Sequence, residues 1–175
     1  MGYHSSYDLM LFEPEAAPKD YDAFLAWFAE QMACNEDHAY NDSRETSENL
    51  RAWYRDMLPV FPSGADEFEE NGAGDHDEDN YSGYSIGRQF IYVIFVPLMA
   101  KNARQMAVDL AAKHGLGLFE PTSMGVELWW PEAGKLMLIH QHQGQAQEAP
   151  SLWQRLTGKS KGNRLSKPRL PDWMS

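Results

Sequence analysis

A single cysteine, Cys34, stands in 175 residues, so no internal disulfide can form and nothing calls for an oxidising compartment. No apolar run reaches the ~18 residues that a membrane-spanning helix needs, and the first residues lack the basic-then-apolar order of a signal peptide. These absences predict a cytoplasmic protein without membrane attachment. No period repeats along the chain, which excludes solenoid and propeller architectures. Positive charge is also scarce. The chain holds 15 Lys/Arg against 26 Asp/Glu, and six of those 15 fall in residues 151–175 beside one acid, Asp172. The first 150 residues therefore carry nine Lys/Arg and 25 Asp/Glu, a net −16 against +5 in the tail. A body of that sign repels nucleic acid and accelerates encounter with basic proteins. The plain alternative is that these acids only keep the surface solvated.

What is present is a core. Apolar residues make up 43% and aromatics 13% of the chain, with six Trp, which excludes a disordered protein and fits one domain over residues 1–150. The strongest element is Gln89-Phe90-Ile91-Tyr92-Val93-Ile94-Phe95-Val96, stopped by Pro97. This β-branched and aromatic run reads as a central strand apolar on both faces, with Ile91, Val93 and Phe95 opposite Phe90, Tyr92, Ile94 and Val96. If helices cover one face, the other needs a cover from this chain, a second copy or a partner.

Around it, Tyr7-Asp8-Leu9-Met10-Leu11-Phe12 predicts a first strand. Asp20 caps a helix carrying Tyr21, Phe24, Leu25, Phe28 and Met32 at helical spacing, and Thr46 or Ser47 caps a second with Leu50, Trp53, Tyr54, Met57 and Leu58. Residues 63–80 contain eight acids and no Lys or Arg, the composition of a solvated, mobile loop. A lead-in strand follows at residues 81–87, with Gly87-Arg88 a bulge or turn before the central strand. Pro97 opens a third helix with Met99, Ala103, Met106, Ala107 and Leu110 on its core face and His114-Gly115 as its stop. Short runs at 117–119, 126–130 and 135–140 complete the chain, the last two pairing across Pro131-Glu132-Ala133-Gly134. The order β-α-α-β-β-α-β-β-β predicts an α+β fold, a mainly antiparallel sheet with helices packed on one face, followed by a basic, Pro-containing tail at 151–175.

Catalytic patterns are weak. Gly83-Tyr84-Ser85-Ile86-Gly87 matches G-x-S-x-G, but a nucleophile elbow needs a strand, a tight turn at the Ser and a helix, whereas this stretch leads into a strand. His140 and His142 fall on one face of an extended segment and can begin a metal site, with two ligands still to be found. Asp75-x-Asp77-x-Asp79 opens like a calcium loop but has Asn80 where Gly is required and Ile86 where Glu is required. Cys34 has no His at a diagnostic spacing and reads as a small packing residue. Trp129 and Trp130 point to opposite faces of a strand, so one of them is a candidate for a face left open by helices.

Several stretches, Tyr7-Asp8-Leu9, Tyr40-Asn41-Asp42, Leu50-Arg51-Ala52-Trp53, Tyr84-Ser85-Ile86-Gly87, Ala112-Lys113-His114-Gly115-Leu116-Gly117 and Trp130-Pro131, together resemble a group of small bacterial proteins that accompany polymorphic toxins. That group includes immunity proteins of type VI secretion effectors. The resemblance implies a non-enzymatic cytoplasmic antitoxin, without cofactor or metal, that binds a cognate toxin, most plausibly a nuclease. A nuclease holds a polyanion in a basic cleft, which carboxylates can occupy. The expected partner-binding residues are Glu36, Asp37, Tyr40 and Asp42 in one loop, and Asp66, Glu67, Glu69, Glu70, Asp75, Asp77, Asp79 and Tyr81 in a second. The competing readings are a small hydrolase or metal-dependent enzyme using Ser85 or His140 and His142, and an adaptor that forms a homodimer through the Phe90/Tyr92 face.

Overall fold

The computed structural model of the protein describes residues 6–64, 82–122 and 125–143. Six strands form one antiparallel sheet in the order β2-β3-β1-β4-β5-β6. In chain order the elements are β1 (Tyr7–Phe12), α1 (Tyr21–Met32), α2 (Glu48–Met57), β2 (Gly83–Ile86), β3 (Phe90–Phe95), α3 (Ala100–His114), β4 (Gly117–Thr122), β5 (Gly125–Glu132) and β6 (Lys135–Gln143). Short 3-10 turns sit at Ser43–Glu45 and Pro97–Met99. The α+β fold and the element order are those the sequence predicted. The segment 65–80, with Asp66, Glu67, Glu69, Glu70, Asp75, Asp77 and Asp79, lies outside the described residues, as do Tyr81 and the 151–175 tail. The ends of the 63–80 stretch are drawn together, since Gly64 N–H donates to Ser82 O at 3.2 Å and Ser82 N–H to Pro62 O at 3.0 Å.

Local chemistry explains the helices. Asp20 accepts the Ala23 N–H at 3.0 Å, and Ser47 accepts the Leu50 N–H at 3.3 Å, each satisfying an orphan donor of a first turn. α3 ends where Gly115 takes φ 67°, a left-handed conformation that glycine adopts without a Cβ clash. Ala133 and Gly134, at φ 49° and 76°, make the two-residue turn that joins β5 to β6. Pro131 stays within β5 opposite Leu136 rather than belonging to the turn. Likewise Pro121 lies within β4, so this strand runs on past the predicted 117–119.

Strand alternation divides the core in two. Leu9, Leu11, Ile91, Val93, Phe95 and Leu118 face α2 and α3, packing with Leu50, Trp53 and Met57. Ala103, Ala107 and Ala111 recur every four residues on α3 and are fully buried, which lets α2 approach closely enough for the Trp53 indole N–H to reach Ala107 O at 3.3 Å. Met10, Phe12, Phe90, Phe119, Val126 and Leu128 face the opposite way and meet Phe24 and Phe28 of α1. Phe12, Phe24, Phe28 and Phe119 form a chain of tilted and edge-on rings with centroids 5.0–5.1 Å apart. The predicted one-face packing therefore describes α2 and α3, and α1 supplies the cover that the second apolar face required. On the Phe90/Tyr92 face Phe90 is fully buried and the Tyr92 ring lies against Phe28, while Ile94 is 43% exposed.

Strand alternation sends the two tryptophans to different cores, and the register shift between Leu128 and Trp129 is taken up in β6 at Ile139. Trp129 joins the α3 side and Trp130 packs on Phe12 at 5.3 Å, so neither is left over for an open face.

Candidate partner-binding surface

The first predicted acidic loop, between α1 and α2, is fastened down. Its anchor is Tyr40, which takes φ 58°, lays its ring 6.3 Å from Phe90, and accepts the Ile86 N–H on its carbonyl at 2.8 Å. The phenol oxygen accepts the Glu36 N–H at 2.7 Å. His38 Nδ1 accepts the Tyr40 N–H at 3.2 Å, which assigns the imidazole proton to Nε2, where it donates to the Glu36 carboxylate. Glu36 also accepts the Arg88 N–H, at 3.0 Å on one oxygen and 3.3 Å on the other. It thereby caps the turn between β2 and β3, where a Cβ on Gly87 would meet the Phe90 ring at 2.1 Å, so that only glycine fits.

The charges of this loop are largely matched. Asp37 pairs with the Arg88 guanidinium, and Asp42 receives Arg44 through Nε and Nη2 at 2.6–3.0 Å. Hydrogen bonding to Arg88 holds the Asp37 carboxyl below its ordinary range, and Arg44 in the same way draws Asp42 down to about 2. Arg51 reaches the carbonyls of Ser43, Arg44 and Thr46 at 2.9–3.1 Å and closes the loop from behind. The structure thus brings Glu36, Asp37, Tyr40 and Asp42 into one loop, with two arginines interleaved among the acids.

Residues 13–42, which lead into α1, form it and leave it, contain eight Asp/Glu and a single Lys, and of the eight Asp37 and Asp42 are matched by Arg88 and Arg44. Asp22 and Glu30 lie on the exposed side of α1, and Glu15 and Asp20 are exposed just before it. α2 and α3 behave differently, with five Lys/Arg against three Asp/Glu between them. Asp56, at the end of α2, accepts Lys113 Nζ at 2.8 Å and His114 Nε2 at 2.9 Å, which together keep its carboxyl below the usual range.

Two polar groupings escaped the sequence reading. On the α3 side, Arg104 donates to Glu120 at 3.0 Å and to Glu127 at 2.9 Å. Tyr7 adds a hydrogen bond to Glu120 at 2.9 Å, and Trp129 Nε1 and Gln141 add bonds to Glu127 at 3.1 and 3.0 Å. Burial, then the adjacent Glu120, pushes the Tyr7 phenol above its ordinary value. Each carboxylate has partners, so the cluster is a strut between α3 and the sheet. On the α1 side, Tyr92 donates to Asp8 Oδ2 at 2.7 Å, while Asp8 Oδ1 is buried without a hydrogen-bond partner among the described residues. The only hint in the sequence was an acid inside the otherwise apolar run of β1.

The catalytic patterns find no assembled site. Ser85 sits within β2 opposite Tyr92, and the following turn leads to β3 instead of a helix, so the elbow geometry does not form. His140 stacks on Tyr21 with centroids 3.5 Å apart, His142 pairs with Val126 across the strands, and among the described residues no cluster of three metal-ligating side chains occurs. Both nitrogens of His38 are engaged, so it offers Cys34 no base, and burial and then Glu36 push the Cys34 thiol up rather than toward thiolate. No helix among the described residues is long and apolar enough to cross a membrane. Comparison with protein-family models, with curated proteins and with solved structures finds no match to this chain.

Proposed function

We propose that this protein is a non-enzymatic immunity protein that binds a cognate secreted toxin, a nuclease effector, and neutralises it by steric and electrostatic blockade. The observation that carries this reading is the exposed acid around α1, Glu15, Asp20, Asp22 and Glu30, with Lys19 the one Lys/Arg in residues 13–42. A surface of that sign steers a basic protein toward it and complements a cleft shaped to hold a nucleic acid backbone. The loop around Tyr40 adds what charge alone lacks, a half-buried aromatic on a backbone already fixed by hydrogen bonds, since ordering a surface before contact lowers the entropic cost of binding. The eight acids of residues 63–80 add to the negative charge of the chain by composition.

Pull-down from the native host with the tagged chain, followed by co-expression with the protein it retains, tests the reading. Growth protection together with a stable complex of the two purified proteins is the expected result. Loss of viability and no complex would overturn it.

A further inference from the structure

The loop between α1 and α2 is centred on one imidazole. The His38 side chain is only 8% exposed, and both of its ring nitrogens are engaged. Nδ1 accepts the Tyr40 N–H at 3.2 Å, and Nε2–H donates to the Glu36 carboxylate. The Tyr40 ring lies 4.5 Å from the imidazole. Tyr40 is in turn the residue that ties this loop to the sheet, because its carbonyl receives the Ile86 N–H at 2.8 Å while its hydroxyl receives the Glu36 N–H at 2.7 Å. It does so at φ 58°, a left-handed conformation that is unfavourable for an aromatic residue and persists only while neighbouring contacts over-determine it.

An imidazole accepts at one nitrogen and donates at the other only when it is neutral; the imidazolium donates at both. The charged groups around His38 do not remove that conflict. Glu36 and Asp37, on its own loop, favour the charged ring. Arg88, on the β2–β3 turn, opposes it while pairing with Asp37 and lying in the field of Glu45, and the Cys34 thiol, its ionisation pushed up by burial, adds no charge. The bond from Nε2–H to Glu36 survives protonation, whereas Nδ1 gains a proton that points at the Tyr40 N–H. We propose that His38 is a pH-sensitive latch: neutral, it holds Tyr40 in its left-handed conformation and the loop against the β2–β3 turn; protonated, it stays on Glu36, gives up the Tyr40 N–H and releases the loop. The loop is therefore fastened at higher pH and loosens as pH falls. Glu36, Asp37, Tyr40 and Asp42 all lie on it, so a weaker hold on the partner in acid rests on the proposed function; the latch itself does not.

The full chain, with no partner added, is titrated by NMR from about pH 8 to about pH 5, the range in which histidines change charge. The His38 ring signals and the amide signals of Tyr40 and Ile86 should move with one midpoint. Across it the exchange protection of those two amides, corrected for the intrinsic effect of pH, should fall about 10-fold, the loss expected of one hydrogen bond. In His38→Asn the side-chain oxygen accepts the N–H two residues on and cannot titrate, so both amides should keep their protection throughout. A His38 ring that titrates while the Tyr40 and Ile86 amides stay protected, or one that does not titrate at all in this range, would overturn the latch. An equal loss of protection in His38→Asn would overturn it too, since the trigger would then be another group. The titration of the unaltered chain decides the question even if the variant fails to fold, and it needs no toxin, so a failed latch and a failed immunity role are told apart.

Discussion

The two faces of the sheet are built by different means. Beneath α2 and α3 the packing mixes aliphatic side chains with Trp53, Tyr54, Phe61 and Phe95, with three buried alanines on α3 and a charged strut from Arg104 to Glu120 and Glu127. Beneath α1 it is a set of interlocked aromatic rings, closed to solvent at Phe12 and open at Ile94. Their surfaces differ as well: acids dominate residues 13–42, while α2 and α3 carry a slight excess of bases. One face is built to hold the sheet and a pair of helices together. The other joins a smaller cover to an acidic surface and to an end where Ile94 is exposed.

Breaking the aromatic cover should give the largest effect. Phe24→Ala removes a fully buried ring that touches Phe12 and Phe119, with an expected loss of about 3–5 kcal/mol. Hydrogen exchange should show α1 losing protection before α2 and α3 do; simultaneous loss in all three would mean that the faces do not act separately. The strut comes next. Arg104→Ala leaves the Glu120 side chain, 9% exposed, without its cation, and about 2 kcal/mol should be lost in urea denaturation, less than for a fully buried pair because Arg104 itself is 39% exposed.

Smaller changes sharpen the contrast of charge. Arg44→Gln releases Asp42 from its partner, so association with the toxin domain at low salt should quicken by about 2-fold in stopped-flow kinetics, an advantage that disappears as salt screens the field. The least effect concerns acid. The folded-state value of Asp42 is depressed to about 2, so its contribution is complete above the unfolded carboxyl range and is lost as pH falls toward 2. A difference in melting temperature of about 1–2 °C between the protein and Asp42→Asn at pH 6 should vanish by about pH 2.

Much of the fold was legible because periodicity reports burial. The caps at Asp20 and Ser47, the stop at Gly115 and the opposed faces of β3 all follow from residues adjacent in sequence. The side on which each helix packs was not legible, because nothing local in α1 distinguishes Phe24 and Phe28 meeting Phe119 from their meeting Leu118. The candidate site was legible in composition and less so in charge. Asp37 lies 51 residues from Arg88, and only the fold shows that this arginine neutralises it. Distance along the chain likewise hides Arg104 from Glu120, 16 residues away, and Tyr92 from Asp8, 84 residues away.

The direct test is the association rate of the toxin domain with two triple variants at low and high ionic strength. In one, Asp22→Asn, Glu30→Gln and Asp37→Asn neutralise the α1 side; in the other, Glu48→Gln, Asp56→Asn and Asp109→Asn remove the same number of charges from α2 and α3. The α1-side variant should associate about 10-fold more slowly at low salt, with the gap closing as salt rises, and the α2/α3 variant should stay within about 2-fold of the original. Equal slowing by both variants, or none from the α1 side, would contradict the claim that the acidic α1 face receives the partner.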